Sequence, residues 1–283
     1  MSLFITSLNS GSNGNCYYIG NETEAILVDA GISCRETEKR MELLGLSMNK
    51  VKAIFISHEH GDHIKGLPTL TSKYHLPVYI TNITLQHSRM QLTQVQSFTA
   101  YQPVMIGKLS ITAFPKYHDA EDPHSFIISC DGINIGVFTD IGACCNHVSK
   151  QFNKCHAAFL EANYDEKMLE NGNYPYHLKN RIRGGKGHLS NSQALEIFVK
   201  HRPAFMSHIF LSHLSKDNNC PVLARQLFED HAAGTNIIVA TRYEATEVYQ
   251  ISGNSQSLPV LKKRKAIINR LQLNLFEASI LKN

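Results

Sequence analysis

The run His58-Glu59-His60-Gly61-Asp62-His63 constrains this chain more than any other stretch. It follows directly on the apolar run Val51-Lys52-Ala53-Ile54-Phe55-Ile56-Ser57, which reads as a strand buried on both faces. Imidazole and carboxylate are the donors that divalent zinc, manganese and iron accept at neutral pH. Side chains two apart on an extended backbone point the same way, so His58 and His60 can converge on one ion at the strand's end. Gly61 permits a turn that swings Asp62 and His63 toward an adjacent point. One segment then has donors for two ions, and two ions about 3.5–4 Å apart can activate a bridging hydroxide and polarise a phosphoryl or carbonyl oxygen.

The rest of the chain bounds what this run can belong to. A length of 283 residues allows one large α/β domain or two small ones, and 43% hydrophobic residues supply a sizeable core. The net charge of +4 permits an anionic substrate without demanding one. No run approaches the ~20 apolar residues that span a bilayer. The N-terminus reaches polar Asn9 and Ser10 too early for a secretory signal. Seven cysteines (Cys16, Cys34, Cys130, Cys144, Cys145, Cys155 and Cys220) are scattered without a CxxC pair. This argues for a reducing, cytoplasmic setting and against a disulfide framework or thiolate zinc site. Cys144 and Cys145 follow the strand of residues 133–139 and are expected to pack as apolar residues. With 15 histidines present, position has to decide which of them matter.

Short β-rich runs alternate with amphipathic stretches. Residues 3–8, 16–19, 25–29, 51–57, 78–81, 109–114, 125–129 and 133–139 read as strands. So do 157–161, 205–211, 237–240 and 244–251 in the second half. Ser33 followed by Glu36 is a capping box opening a helix that Gly45 can close. Residues 191–201 and 220–231 read as helices. The pattern predicts an α/β fold of two packed mixed sheets flanked by helices, not a doubly wound parallel sheet, and no Gly-rich phosphate loop follows any strand. After Gly253 the composition turns polar and then basic, so residues 1–252 read as the domain and 253–283 as an appended tail.

HxHxDH after an apolar strand resembles the metallo-β-lactamase superfamily of metal-dependent hydrolases. The resemblance implies an αβ/βα four-layer sandwich and two divalent ions, zinc first among them, with manganese or iron as alternatives. Mapped residue by residue, it implies that His58, His60 and His118 hold the first ion and that Asp62, His63 and His213 hold the second. Asp140 would bridge them, Asp29 would orient the HxHxDH loop from behind, and Glu59 would face outward or support the ligands. His124 and His177 lie near Pro-containing loops that could flank the site, and the other histidines read as surface or structural.

Two further motifs resemble the phosphodiesterase branch of the superfamily. Glu161 ends a strand in Leu160-Glu161-Ala162-Asn163, and His188 precedes a helix in Gly187-His188-Leu189-Ser190-Asn191. There His188 would protonate the leaving oxygen and Glu161 would orient it, while Asp62 would serve both metal and catalysis. An alkoxide departs poorly without an acid, and imidazole has a suitable pKa.

These segments, with Ser7-Leu8-Asn9-Ser10-Gly11-Ser12-Asn13-Gly14-Asn15, Tyr117-His118-Asp119-Ala120 and the run from Leu211 to Asn219, resemble the YycJ/WalJ-type bacterial metallohydrolases over roughly residues 1–250. That family is associated with 5′-to-3′ exonuclease action on DNA. Tyr164 departs from it, standing where a His is expected before Asp165. In the tail, Gln272-Leu273-Asn274-Leu275-Phe276 resembles the peptide by which bacterial replication and repair proteins dock on the sliding clamp. Leu273, Leu275 and Phe276 would enter an apolar pocket and Gln272 would contact its rim. The preceding Lys262-Lys263-Arg264-Lys265 could track phosphates. The same residues also suit an amphipathic helix packed on its own domain.

The expectation is a cytoplasmic, dinuclear metal-dependent phosphodiesterase, a DNA nuclease using metal-bound hydroxide with His188 as acid. A small-molecule phosphodiesterase, a thioester or lactam hydrolase, and a non-catalytic clamp-binding adaptor stand as alternatives. The sequence leaves the oligomeric state open.

Overall fold

A computed structural model describes residues 2–253. In chain order the first half contains β1 (Leu3–Asn9), β2 (Cys16–Gly20), β3 (Ala25–Val28), α1 (Cys34–Leu43), β4 (Val51–Phe55), α2 (Gly61–Ile64), α3 (Leu67–Tyr74), β5 (Val78–Tyr79), α4 (Asn82–Ser88) and β6 (Val95–Gln96). Next come β7 (Val104–Ile106), β8 (Leu109–Pro115), β9 (His124–Cys130), β10 (Ile133–Phe138), α5 (Asn146–Phe152) and β11 (Ala157–Glu161). The last elements are α6 (Glu166–Asn171), α7 (Tyr176–Arg183), α8 (Asn191–His201), β12 (His208–Ser212), α9 (Pro221–Glu229), β13 (Asn236–Val239) and β14 (Tyr249–Ile251).

The strands form two seven-stranded sheets, ordered β14-β1-β2-β3-β4-β5-β6 and β13-β12-β11-β10-β9-β8-β7. Both are mixed. Pairing is parallel from β3 to β6 and from β10 to β13, and antiparallel elsewhere.

Strand periodicity explains the layering. Successive side chains leave opposite faces of a strand. Ile26, Val28, Ala53 and Phe55 therefore enter the core between the sheets, where they join Phe126, Phe159 and Phe210. Their neighbours Ala25, Leu27 and Ile54 pack on the other side with Met41 of α1 and Leu67 and Leu70 of α3. In the second sheet Ala158 and Leu160 turn outward onto Phe152, Phe198 and Phe228 of α5, α8 and α9. Strands β3 and β11 are buried along their whole length, which is why they read as continuous apolar runs. The result is four layers, helix–sheet–sheet–helix, as the sequence implies.

Several local expectations are corrected. Strand β4 ends at Phe55, so His58 and His60 lie in the loop beyond it and not on extended strand. Gly61 opens α2 with ordinary φ and open space where a Cβ would stand; the short helix itself, not glycine's freedom, turns Asp62 and His63. Ser33 caps α1 by accepting from Glu36 N, but the Glu36 carboxylate pairs with Arg40 at 2.7 Å, so only half the capping box forms. Gly45, at φ +69°, follows the end of α1 as expected. The strand expected over 205–211 is displaced to His208–Ser212, and of 244–251 only Tyr249–Ile251 pairs. Helices α4 to α7, each of eight residues or fewer, carry too short a stripe for periodicity to reveal. Of the expected tail only Gly253 is described; Gln272, Leu273, Leu275 and Phe276 lie outside the described residues.

Candidate metal centre

The chemistry-bearing residues gather at one edge, beyond the C-terminal ends of β1, β3, β4, β8, β10, β11 and β12. Asp29, Asp140 and His213 follow β3, β10 and β12, and all three take left-handed backbone, at φ 61°, 53° and 57°. That conformation reverses the chain's course and is uncommon outside glycine, with Asp among its more tolerant occupants. Gly31 lets the turn after Asp29 press on the histidine loop: a Cβ there would stand 1.7 Å from the Asp62 carbonyl oxygen.

His58, His60 and His118 direct ring nitrogens at one another. His58 Nε2 lies 3.1 Å and His118 Nε2 3.4 Å from His60 Nδ1. Asp62, His63 and His213 form a second group, with the Asp62 carboxylate 3.5 Å from His63 Nε2 and 3.3 Å from His213 Nε2. Asp140 lies between the groups. Its carboxylate is 2.9 Å from His63 Nε2, 3.4 Å from His213 Nδ1 and 3.9 Å from His118 Nε2. His60, Asp62 and His188 are half-buried and form the mouth; His58, His63, His118, Asp140 and His213 are buried. All seven expected ligands therefore meet at one place.

Supporting contacts fix which nitrogens face inward. Asp29 accepts from the Ser57 backbone N–H at 2.8 Å and the Ser57 hydroxyl at 2.9 Å, and lies 2.7 Å from His63 Nδ1. A carboxylate can only accept, so His63 Nδ1 carries a proton for it and Nε2 faces Asp140. His118 Nδ1 donates to the Gly187 carbonyl at 3.0 Å, leaving the Nε2 lone pair aimed at His60.

This arrangement fits divalent cations. The buried Asp140 Oδ2 makes no hydrogen bond although His63 Nε2 is 2.9 Å away. Acceptors facing one another need positive charge between them. The donors are nitrogen and oxygen without thiolate, a set that zinc, manganese and iron share.

The titration behaviour shows the same charge pattern. Burial opposes ionisation of Asp62 and Asp140, yet His63 and His213 hold both carboxyls below their ordinary range. Burial would lower His213, but Asp140, Asp62 and Glu161 carry it up to about 10. His63 is likewise raised against its burial by Asp140, Asp29 and Asp62. Burial lowers His58, and it takes His118 to about 4. Protons on His63 and His213 thus balance the carboxylates, and a bound cation would displace them.

Glu161 and His188 stand beside this cluster. His188 Nδ1 is 2.7 Å from Glu161 Oε1 and 3.6 Å from Asp140. Glu161 is fully buried and accepts from the backbone N–H groups of Ile141 (2.7 Å) and Leu189 (3.2 Å). Burial would raise its pKa, but His188 and His213 bring it down to about 2.

Other residues support the site without a role legible from the sequence. Asn15 donates to Asp62 at 3.2 Å, Ser10 Oγ accepts from His213 N at 2.7 Å, and Asn163 donates to the His213 carbonyl at 2.8 Å. Buried Lys116 donates to the Thr139 carbonyl at 2.6 Å, just before Asp140. Asp119 lies 3.3 Å from His118 Nε2 and pairs with Arg181 of α7 at 2.5 Å. Ser10, Asn15, Asp119 and Asn163 fall within segments that resemble the YycJ/WalJ-type family, but no role could be read for them there. His124 is buried and its backbone N–H supports the loop through Ser57 O; His177 is exposed on α7. Glu59, half-buried, accepts from Glu121 N at 2.9 Å. Cys145 packs partly on the outer core, whereas Cys144 is exposed, contrary to expectation; all seven cysteines are free. Among the described residues no helix is long and apolar enough to cross a membrane.

Residues 24–210 match the beta-lactamase superfamily domain. The chain is 34% identical over 243 residues to exodeoxyribonuclease YycJ of Bacillus anthracis, covering 83% of this chain and 92% of that one. It is 29% identical over 244 residues to exodeoxyribonuclease WalJ of Streptococcus pneumoniae, covering 84% and 91%. Among solved structures, Zn(2+)-bound PqqB from Methylobacterium extorquens shares the fold at a TM-score of 0.68 and 13% identity, over 86% of this chain and 99% of that one. A matching domain model, a near full-length relative and a cage of histidine and aspartate at the strand ends agree: the chain belongs to the beta-lactamase superfamily, to its YycJ/WalJ-type family, and is a metal-dependent hydrolase.

Proposed function

We propose that this hydrolase is a dinuclear phosphodiesterase that degrades DNA from 5′ ends, with zinc as the first candidate metal and manganese or iron as alternatives. The observation that carries the phosphodiesterase reading is the Glu161–His188 pair beside the ligand cage. A cage alone would serve a lactam or thioester as well; a held imidazole serves a leaving alkoxide. The DNA reading rests on the YycJ and WalJ relatives.

His58, His60 and His118 would hold one ion and Asp62, His63 and His213 the other, with Asp140 shared. When bound, such ions lower the pKa of water and polarise phosphoryl oxygens. The protein's own work is positional. Asp29 holds His63 in one tautomer, and Gly187 O does the same for His118. Glu161, locked by two backbone N–H groups, accepts from His188 Nδ1 and fixes the orientation of the ring. His188 Nε2 then carries the proton that goes to the departing oxygen.

The test is digestion of 5′- and 3′-labelled duplex and single-stranded DNA, RNA and a chromogenic phosphodiester by the manganese- or zinc-loaded protein. Release of mononucleotides from DNA 5′ ends is expected. Turnover of the chromogenic diester alone would support a small-molecule phosphodiesterase instead.

The tail beyond residue 252 adds a second proposal, that Gln272, Leu273, Leu275 and Phe276 dock on a bacterial sliding clamp, placing the enzyme at replication or repair sites in the cytoplasm. Purified clamp should retain the full chain but not the Leu275→Ala/Phe276→Ala variant; equal retention of both would remove the idea.

A further inference from the structure

Asp119 turns one carboxylate oxygen toward the ligand cage, and the mechanism above gives it no work. That oxygen, Oδ1, is buried and makes no hydrogen bond. It lies 3.3 Å from His118 Nε2. His118 Nδ1 donates to the Gly187 carbonyl, so Nε2 presents a lone pair to the carboxylate. Two buried acceptors facing each other repel unless positive charge lies between them.

The surroundings hold Asp119 in this position. Its Oδ2 accepts from Arg181 Nε of α7 at 2.5 Å. The loop that carries it is closed by Lys116 N on the Pro123 carbonyl at 3.1 Å and by Gly142 N on the Tyr117 carbonyl at 2.7 Å. Glu59, inside the histidine run, accepts from Glu121 N at 2.9 Å and ties the same loop to that run. Helix α7 reaches the site by a second route. A Cβ on Gly187 would stand 2.1 Å from the Arg181 and Ile182 carbonyl oxygens, so the last turn of α7 presses on the residue that accepts from His118. An exposed ion pair contributes little on its own, and it needs no buried, unpaired oxygen on its acid.

We propose that Asp119 is a further donor to the ion held by His58, His60 and His118, and that Arg181 is the positioning residue that keeps it there. The proposal rests on the dinuclear reading of the cage. Charge supports it as well as geometry. The second set has a carboxylate of its own, Asp62, besides its share in Asp140; the first has three imidazoles and the share alone. Asp119 supplies the missing negative charge. It also adds an oxygen to a nitrogen-rich set, and oxygen donors suit manganese.

The experiment titrates the metal-stripped, full-length chain with manganese and reads the free ion by its paramagnetic resonance signal. The wild type should bind two ions. Asp119→Asn should weaken one of them by about tenfold to a hundredfold and leave the other unchanged. Arg181→Ala should weaken the same ion by less; Arg181 is exposed, so this variant does not depend on refolding a buried site. The ion affected is identified by His60→Ala, which removes a donor of the first set. Once His60→Ala has weakened that ion, adding Asp119→Asn should leave the remaining one unchanged. Two ions bound as tightly by Asp119→Asn as by the wild type would overturn the assignment and leave the dinuclear reading standing. A further loss of the remaining ion in the double variant would overturn it too, by placing Asp119 with the second set. Fewer than two ions on the wild type overturns the dinuclear reading and the role of Asp119 with it.

Discussion

Asp140→Asn should remove hydrolysis of any phosphodiester by roughly three orders of magnitude and reduce metal content measured on the purified protein. The carboxylate stands between both ligand groups, and the amide brings an N–H donor and no charge to face His63 and His213. Without a cation, protons on His63 and His213 balance Asp140, so the variant should melt below the wild type even after chelator treatment. The metal-centre role adds an effect that a merely structural role does not. Added zinc or manganese should raise the melting temperature of the wild type still further above that of the variant. Full metal content with normal turnover in Asp140→Asn would refute the assignment.

The second large effect is expected at His188. Replacing it with Ala should slow cleavage of DNA about 10²–10⁴-fold, the usual contribution of a positioned acid. The loss should depend on the leaving group. A p-nitrophenolate needs no proton, so a chromogenic diester should be cleaved nearly as fast by the variant as by the wild type. Glu161→Gln should follow the same pattern more weakly, because an amide, which can also turn a donor toward Nδ1, holds the His188 ring in place less firmly. Equal losses on both kinds of substrate would mean that His188 binds or supports a metal ion instead of donating a proton, as its grouping with Asp140, Glu161 and His213 also allows.

Much of the candidate ligand cluster was legible because it obeys a simple rule: apolar strands end and a histidine or aspartate follows. Asp29, Asp140 and His213 all stand just past β3, β10 and β12, and the strands announced themselves through continuous apolar runs. The supporting groups were not legible. Asn15, Ser10 and Asn163 are residue types that fill ordinary turns, and their hydrogen bonds join positions 47 to 203 residues apart. Lys116 reads as a surface residue until its burial is seen. Arg181 and Asp119, which tie α7 to the neighbourhood of His118, sit 62 positions apart in a segment too short for periodicity to reveal. Sequence patterns report local repeats and residue chemistry; long-range closure belongs to the folded chain.

The left-handed backbone at Asp29, Asp140 and His213 also bears on how such a protein can change over generations. Each position holds a side chain in a conformation that glycine adopts at less cost, by about 1 kcal/mol for an ordinary residue. Random substitution that favours a sturdier fold therefore leads away from aspartate and histidine at the very positions to which the proposed chemistry is assigned. A lineage released from the need to hydrolyse would be expected to drift to glycine or asparagine there first, keeping its four layers intact, so these three positions separate a working descendant from a retired one.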